Sequence, residues 1–141
     1  MAPLIVLVAV FVVLVYPLGW WMALRIALCA MFLLTASAHW GKRRPDLIRM
    51  VPAAFPRPDV LVTFTGICEI LGAIGLLIPR VAPFAAIGLT LLLLSIFPAN
   101  VRAAREKLTI AGTPTPPIVT RTIIQIVFLT ATIAVVAGSW L

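Results

Sequence analysis

Val60–Ile78 reads VLVTFTGICEILGAIGLLI and Val81–Phe97 reads VAPFAAIGLTLLLLSIF, with only Pro79-Arg80 between them. A membrane-crossing helix needs roughly 17–25 mostly apolar residues. Both runs reach that length, and Glu69 is the one charge in either. A two-residue link permits nothing but a tight hairpin, so the two helices must be antiparallel neighbours. This pair decides the fold class: an all-α, polytopic membrane helical bundle.

Three further apolar runs extend it: Ala2 to Tyr16, Gly19 to Trp40 with Arg25 inside, and Ile118 to Leu141. The first two would measure about 60 Å as one straight helix, twice the hydrocarbon thickness. Pro17-Leu18-Gly19 supplies the break, and Trp20-Trp21 behind it suits a membrane interface. Met1-Ala2-Pro3 offers no basic run and no A-x-A site precedes Trp20, so the first run reads as a retained span rather than a signal peptide. The expected spans are 2–16, 19–40, 60–78, 81–97 and 118–141, in one membrane domain.

The composition of all 141 residues agrees. It is 63% hydrophobic and 11% charged, with a mean hydropathy of +1.20, where a soluble domain carries about 25% charge. That excludes a disordered chain, a nucleic-acid arm and an ordinary cytosolic enzyme. The net charge of +7 sits mainly in two connections. Lys42, Arg43, Arg44, Arg49 and Arg57 lie in 41–59; Arg102, Arg105, Lys107 and Arg121 lie in or beside 100–117. Two spans separate these connections, so both fall on one side, which the positive-inside rule makes cytoplasmic. The N-terminus is then expected inside and Trp140-Leu141 outside a plasma membrane. Within 41–59, Pro45–Val51 reads as a short amphipathic helix for the anionic leaflet or as a solvated loop. Phe97-Pro98 is expected to end or kink the fourth span, and Asn100 to cap the basic segment after it.

Glu69 is the most informative side chain. A mid-span carboxylate must face the bundle interior, find a partner or be protonated. Arg25 is the expected partner for a buried structural pair; a proton- or ligand-binding carboxylate in a polar cavity is the functional reading. His39 is the single histidine, so a multi-histidine metal site and bis-histidine haem within one chain are excluded. It reads as an interfacial cap, or as a hydrogen-bond partner for a quinone and a proton relay. Cys29 and Cys68 read as packing residues, with a midplane redox pair as the sharper alternative. The glycines around Glu69 permit close helix contact or leave space for a flat ligand. Gln125 is expected to reach the same polar interior. No phosphate-binding loop, dinucleotide fingerprint, nucleophile elbow or H-E-x-x-H is present, so a self-contained enzyme is not expected.

Ala38-His39-Trp40, Leu47–Pro52, Thr65–Pro79 (TGICEILGAIGLLIP) and Phe97–Ala104 (FPANVRAA) together resemble DoxX-like integral membrane proteins over roughly residues 22–138. The resemblance implies a four-helix unit, to which this chain adds an N-terminal transmembrane helix. His39, Thr65, Gly66, Glu69, Pro98 and Asn100 carry the signature. It further implies a bacterial inner-membrane protein serving as a non-catalytic accessory or scaffold subunit of a quinone- or sulfur-linked redox system. Arg25, His39, Thr65, Gly66, Glu69, Asn100 and Gln125 are the candidate ligand-binding or polar-core residues. A quinone or haem is the candidate cofactor and no metal site is expected. The lipid bilayer, a cytoplasmic or membrane redox protein and a second copy of the chain are the candidate partners, and nucleic acid is excluded. A small proton-coupled transporter centred on Glu69, and an assembly chaperone for another membrane protein, are the competing classes.

Overall fold

The computed structural model describes residues 1–141 and consists of six helices and one minimal hairpin. In chain order these are α1 (Ala2–Leu18), α2 (Trp20–Ser37), α3 (Arg44–Met50), α4 (Pro58–Leu77), α5 (Ala82–Arg105), β1 (Thr109–Ile110), β2 (Thr113–Pro114) and α6 (Ile118–Gly138). Helices α2, α4, α5 and α6 are long and apolar enough to cross a membrane, and α1 is a shorter apolar helix. The chain is an all-α helical bundle.

α2 packs on α4, α4 on α5, α5 on α6, and α6 touches α2 again, which closes a four-helix ring; α1 packs on α2. Gly19 alone separates α1 from α2, at φ 79° and ψ 160°, a left-handed value that favours glycine. Pro17 stays inside α1, so the break falls on the glycine. Ile78 makes the α4–α5 hairpin: its carbonyl accepts from the N–H of Val81 at 2.9 Å and of Ala82 at 2.8 Å.

Packing between helices in lipid rests on close contact rather than on exclusion of water. The ring is accordingly lined with small residues. Ala23, Ala27, Ala73, Ala82 and Ala86 are fully buried. A Cβ at Gly75 would stand 2.8 Å from the Cβ of Ala85, and one at Gly72 would meet the Leu89 side chain. Phe32, Leu28, Met31, Leu76 and Leu89 fill the space that remains. Large apolar side chains such as Phe64, Leu71, Phe84 and Leu91 point outward, the pattern of a lipid-facing surface.

Two sequence expectations change here. The fourth span does not stop at Phe97: α5 runs through Pro98 to Arg105. Proline forfeits one helix hydrogen bond, and the turns beyond it are held by contacts of their own. Ala103 is buried, and Arg102 donates to Val51 O. Asn100 is therefore a mid-helix residue and caps nothing.

Nor is Pro45–Val51 a solvated loop. α3 packs on α4, α5 and β1, burying Met50 and Val51. Arg44 donates to His39 O at 2.8 Å, Asp59 O at 3.1 Å and Thr63 Oγ1 at 2.8 Å. Asp46 pairs with Arg49 and accepts the Ala111 N–H at 2.8 Å. Ala111-Gly112 turns the hairpin with both φ values positive, 51° and 78°, as a two-residue I′ loop requires. The loop-end cations thus fasten a folded cap through backbone carbonyls of the turns and of the first turn of α4.

Candidate functional site

A cavity of about 480 Å³ opens at the loop end of the ring, among the start of α1, the end of α2, and α4, α5 and α6. Met31, Phe32, Val62, Leu93 and Phe128 supply apolar wall. Of the sequence candidates, His39, Thr65, Glu69, Asn100 and Gln125 line it.

Glu69 lies near the middle of α4 and is 4% exposed. Its Oε2 accepts from Thr35 Oγ1 at 3.0 Å, while the same hydroxyl lies 3.0 Å from Phe32 O. His39 Nδ1 stands 3.9 Å from Glu69 Oε2, too long for a hydrogen bond, and 3.3 Å from Thr35 O. A carbonyl only accepts, so Nδ1 carries the hydrogen. Across the cavity, Gln125 Nε2 donates to Leu93 O at 2.7 Å. Nearer the loops, Asn100 Oδ1 accepts from Arg121 Nη1 at 2.6 Å, and Arg121 Nε donates to Pro116 O at 3.2 Å.

Gly66 does not open space for a ligand. A Cβ there would lie 2.7 Å from Trp40 Cη2 and 2.8 Å from His39 Cβ. Its absence lets the His39-Trp40 turn rest against α4 and sets the imidazole beside Glu69.

Arg25 belongs to the other end of the bundle and is not the partner of Glu69. It is 2% exposed, its guanidinium stacks 4.5 Å over the Trp21 ring, and its Nε donates to Leu76 O at 2.6 Å. Leu76 is in the last turn of α4, where carbonyls lack partners inside the helix and the dipole is negative. Arg25 caps α4; the charge finds a helix end and an aromatic face instead of a carboxylate. Cys29 and Cys68 are free thiols, the first buried, and no group of three or more His, Cys, Asp or Glu side chains comes together.

Thr35 and Arg121 are site residues that sequence reasoning missed. Thr35 precedes His39 by one helical turn, and Arg121 precedes Gln125 by the same spacing. The i, i+4 rule puts each pair on one face.

Burial pushes the His39 imidazole below its usual value, and Arg44 adds to that, against the opposing pull of hydrogen bonding to Thr35 and Ala36. The unfolded chain therefore takes up a proton at a higher pH than the folded one. The part of the stability that this imidazole contributes falls as pH drops below about 6.5 and levels off under the depressed folded value. The His39 contribution is read by difference: between pH 7 and pH 5 the unmodified chain is expected to lose more of its thermal midpoint in detergent than His39→Gln, by a few °C. An equal change in the two would show that protonation of His39 is not coupled to folding.

The fold and the site define a membrane-type helical bundle with an apolar cavity and a polar, largely buried floor. Residues 28–140 match the family described as a domain of unknown function, DUF8561, and the chain belongs to that family. No curated protein and no solved structure matches it.

Proposed function

We propose that this chain is a DoxX-like inner-membrane protein that holds a quinone-class molecule as a non-catalytic accessory subunit of a quinone- or sulfur-linked redox system. The observation that carries the reading is the cavity: the Glu69 carboxyl with the His39 imidazole, Thr35 and Thr65 beside it, between aromatic and aliphatic walls. Ligand sites of about 300–1,000 Å³ typically combine such apolar walls with a few convergent polar groups. The fully buried Phe32, Leu28, Leu76 and Leu89 lie between α2, α4 and α5, which favours a pocket over a conduit. The polar groups of the cavity, Glu69, Thr35 and Gln125, are hydrogen-bonding rather than iron-ligating side chains, and His39 is the single imidazole among them, so the quinone class is preferred. With the basic loop end cytoplasmic, the cavity faces the inner leaflet and the redox partner docks on that side.

Purification in native-lipid discs, followed by mass spectrometry of extracted lipids and co-isolated proteins, tests this. A near-stoichiometric quinone is expected in the unmodified chain, falling at least about fivefold in Glu69→Leu, which removes both carboxyl oxygens and with them on the order of one hydrogen bond. Recovery of neither a quinone nor a redox partner from the unmodified chain overturns the reading.

One observation favours a second function, proton-coupled carriage: no lysine or arginine contacts Glu69, so its carboxyl is free to exchange protons with the cavity. Proton-driven uptake in liposomes that Glu69→Gln abolishes, without bound quinone, would select it.

A further inference from the structure

The cavity carries its cations at the loop end. Arg43, just before α3, and Arg121, in the first turn of α6, both line it, and neither has an acidic partner. The chain's four acidic residues are Asp46, Asp59, Glu69 and Glu106. Asp46 pairs with Arg49, Asp59 with Arg57 and Glu106 with Arg102, while Glu69 lies deeper, against Thr35 and His39.

Arg121 is half-buried, and its bonds leave most of the guanidinium free. Nε donates to Pro116 O and Nη1 to Asn100 Oδ1, which uses two of the five N–H groups of the fork on uncharged acceptors. An arginine only donates, so it fixes the Asn100 amide with the oxygen toward Arg121 and the NH₂ turned away. Arg121 also stands at the positive end of the α6 dipole, where a cation is disfavoured unless an anion is near. Beside these donors the wall is apolar, with Leu47, Phe55, Ile96 and Ile110, and Phe55 is 48% exposed. A soluble anion would leave that wall unused, and a neutral lipid would leave the cations unused.

We propose that the mouth of the cavity binds an anionic phospholipid of the inner leaflet, its phosphate held by Arg121, Asn100 and Arg43 and its hydrocarbon against the apolar wall. A phosphodiester has two unesterified oxygens to share among these donors, and the guanidinium fork suits them. Basic pockets between membrane helices on the cytoplasmic side take such head groups. The net charge of the lipid decides the preference: in a zwitterionic lipid the head-group cation competes with the arginines for the same phosphate. The site uses none of the groups around Glu69, so the inference goes beyond the quinone-class reading and stands without it.

The test is a binding titration of the full chain in non-ionic detergent, read by native mass spectrometry. The probes are dioctanoyl phosphatidylglycerol, dioctanoyl phosphatidylcholine and inorganic phosphate. The phosphatidylglycerol is expected to bind at least about tenfold more tightly than the phosphatidylcholine, as one charge-assisted hydrogen bond implies. Arg121→Gln and Arg43→Gln should each lower its affinity about five- to tenfold. Arg105→Gln, which removes an exposed loop-end cation outside the cavity, should leave it unchanged. Equal affinity for the two lipids overturns the inference. So does an equal loss in Arg105→Gln and Arg43→Gln, which would mean that diffuse surface charge attracts the lipid. Displacement of the phosphatidylglycerol by an equal concentration of inorganic phosphate overturns it too and assigns the mouth to a free anion. Arg43 is exposed and the lipid comparison needs no variant, so the result does not depend on Arg121→Gln folding.

Discussion

Gly66→Ala is expected to lower the thermal midpoint of the purified protein by roughly 5–10 °C, while Gly88→Ala leaves it unchanged or raises it. Both changes put a methyl group on a membrane helix and carry the same gain in helix propensity. They differ in what the methyl meets. At Gly88 there is nothing within 4 Å, whereas at Gly66 a Cβ would stand 2.7 Å from Trp40 Cη2, 2.8 Å from His39 Cβ and 2.9 Å from His39 Cγ.

The tip of a tryptophan can swing away, but the His39 Cβ moves only with its backbone. That backbone is held, because Arg44 ties His39 O to Asp59 O and Thr63 on α4. Relief therefore demands that the turn after α2 lift off α4, breaking the Arg44 clamp or the approach of His39 to Glu69. Overpacking of this kind costs about 1–3 kcal/mol. A second readout separates the site from mere stability: ligand retention should fall in Gly66→Ala and persist in Gly88→Ala. Equal midpoints for the two variants would show that the turn yields freely and that Gly66 does not position His39.

Helices were legible in the sequence because lipid imposes one rule on the backbone, that every N–H and C=O be satisfied within the segment. Apolar length then reports the spans, and α2, α4, α5 and α6 lie where the hydropathy puts them. α5 ran past its expected end because local propensity at Pro98 was outweighed by packing of Ala103 and the bond from Arg102 to Val51 O. The fate of the arginines was the least legible feature. Charge counting assigns a loop cation to water or to a lipid headgroup, yet Arg44, Arg102 and Arg121 all donate to backbone carbonyls. A guanidinium has five donors in a fixed fork, and a chain with four acidic residues offers far more free carbonyls than carboxylates. The candidate site was legible where a polar side chain interrupts an apolar run, as at Glu69 and Gln125. It was illegible at Thr35, because threonine is unremarkable in a membrane helix until the fold brings its hydroxyl to a carboxyl.

The same scarcity of acids makes Arg25 the place where sequence and structure predict opposite energetics. Arg25→Ala is expected to destabilise the protein by roughly 2–4 kcal/mol, read as reversible unfolding in detergent. The substitution leaves Leu76 O without its 2.6 Å partner, worth about 1–3 kcal/mol for a buried acceptor. It also removes a desolvated cation–π contact of about 2 kcal/mol on Trp21. Relief of the cost of burying the guanidinium offsets part of this. Were Arg25 the counter-ion of Glu69, Glu69→Gln would strand a buried cation and be as damaging as Arg25→Ala, and the double variant would recover part of the loss. The structure separates them: Thr35, the partner of Glu69, lies ten residues along α2 from Arg25, and Leu76 lies seven residues along α4 from Glu69. At 1.5 Å per residue that is about 10–15 Å. Glu69→Gln keeps an oxygen for Thr35 and should cost under about 1 kcal/mol. The double-mutant cycle should close with a coupling below about 0.5 kcal/mol, as for sites that share no partner. A coupling above about 1 kcal/mol would mean that the two charges meet inside the membrane, and Arg25 would then belong to the cavity rather than to the cap of α4.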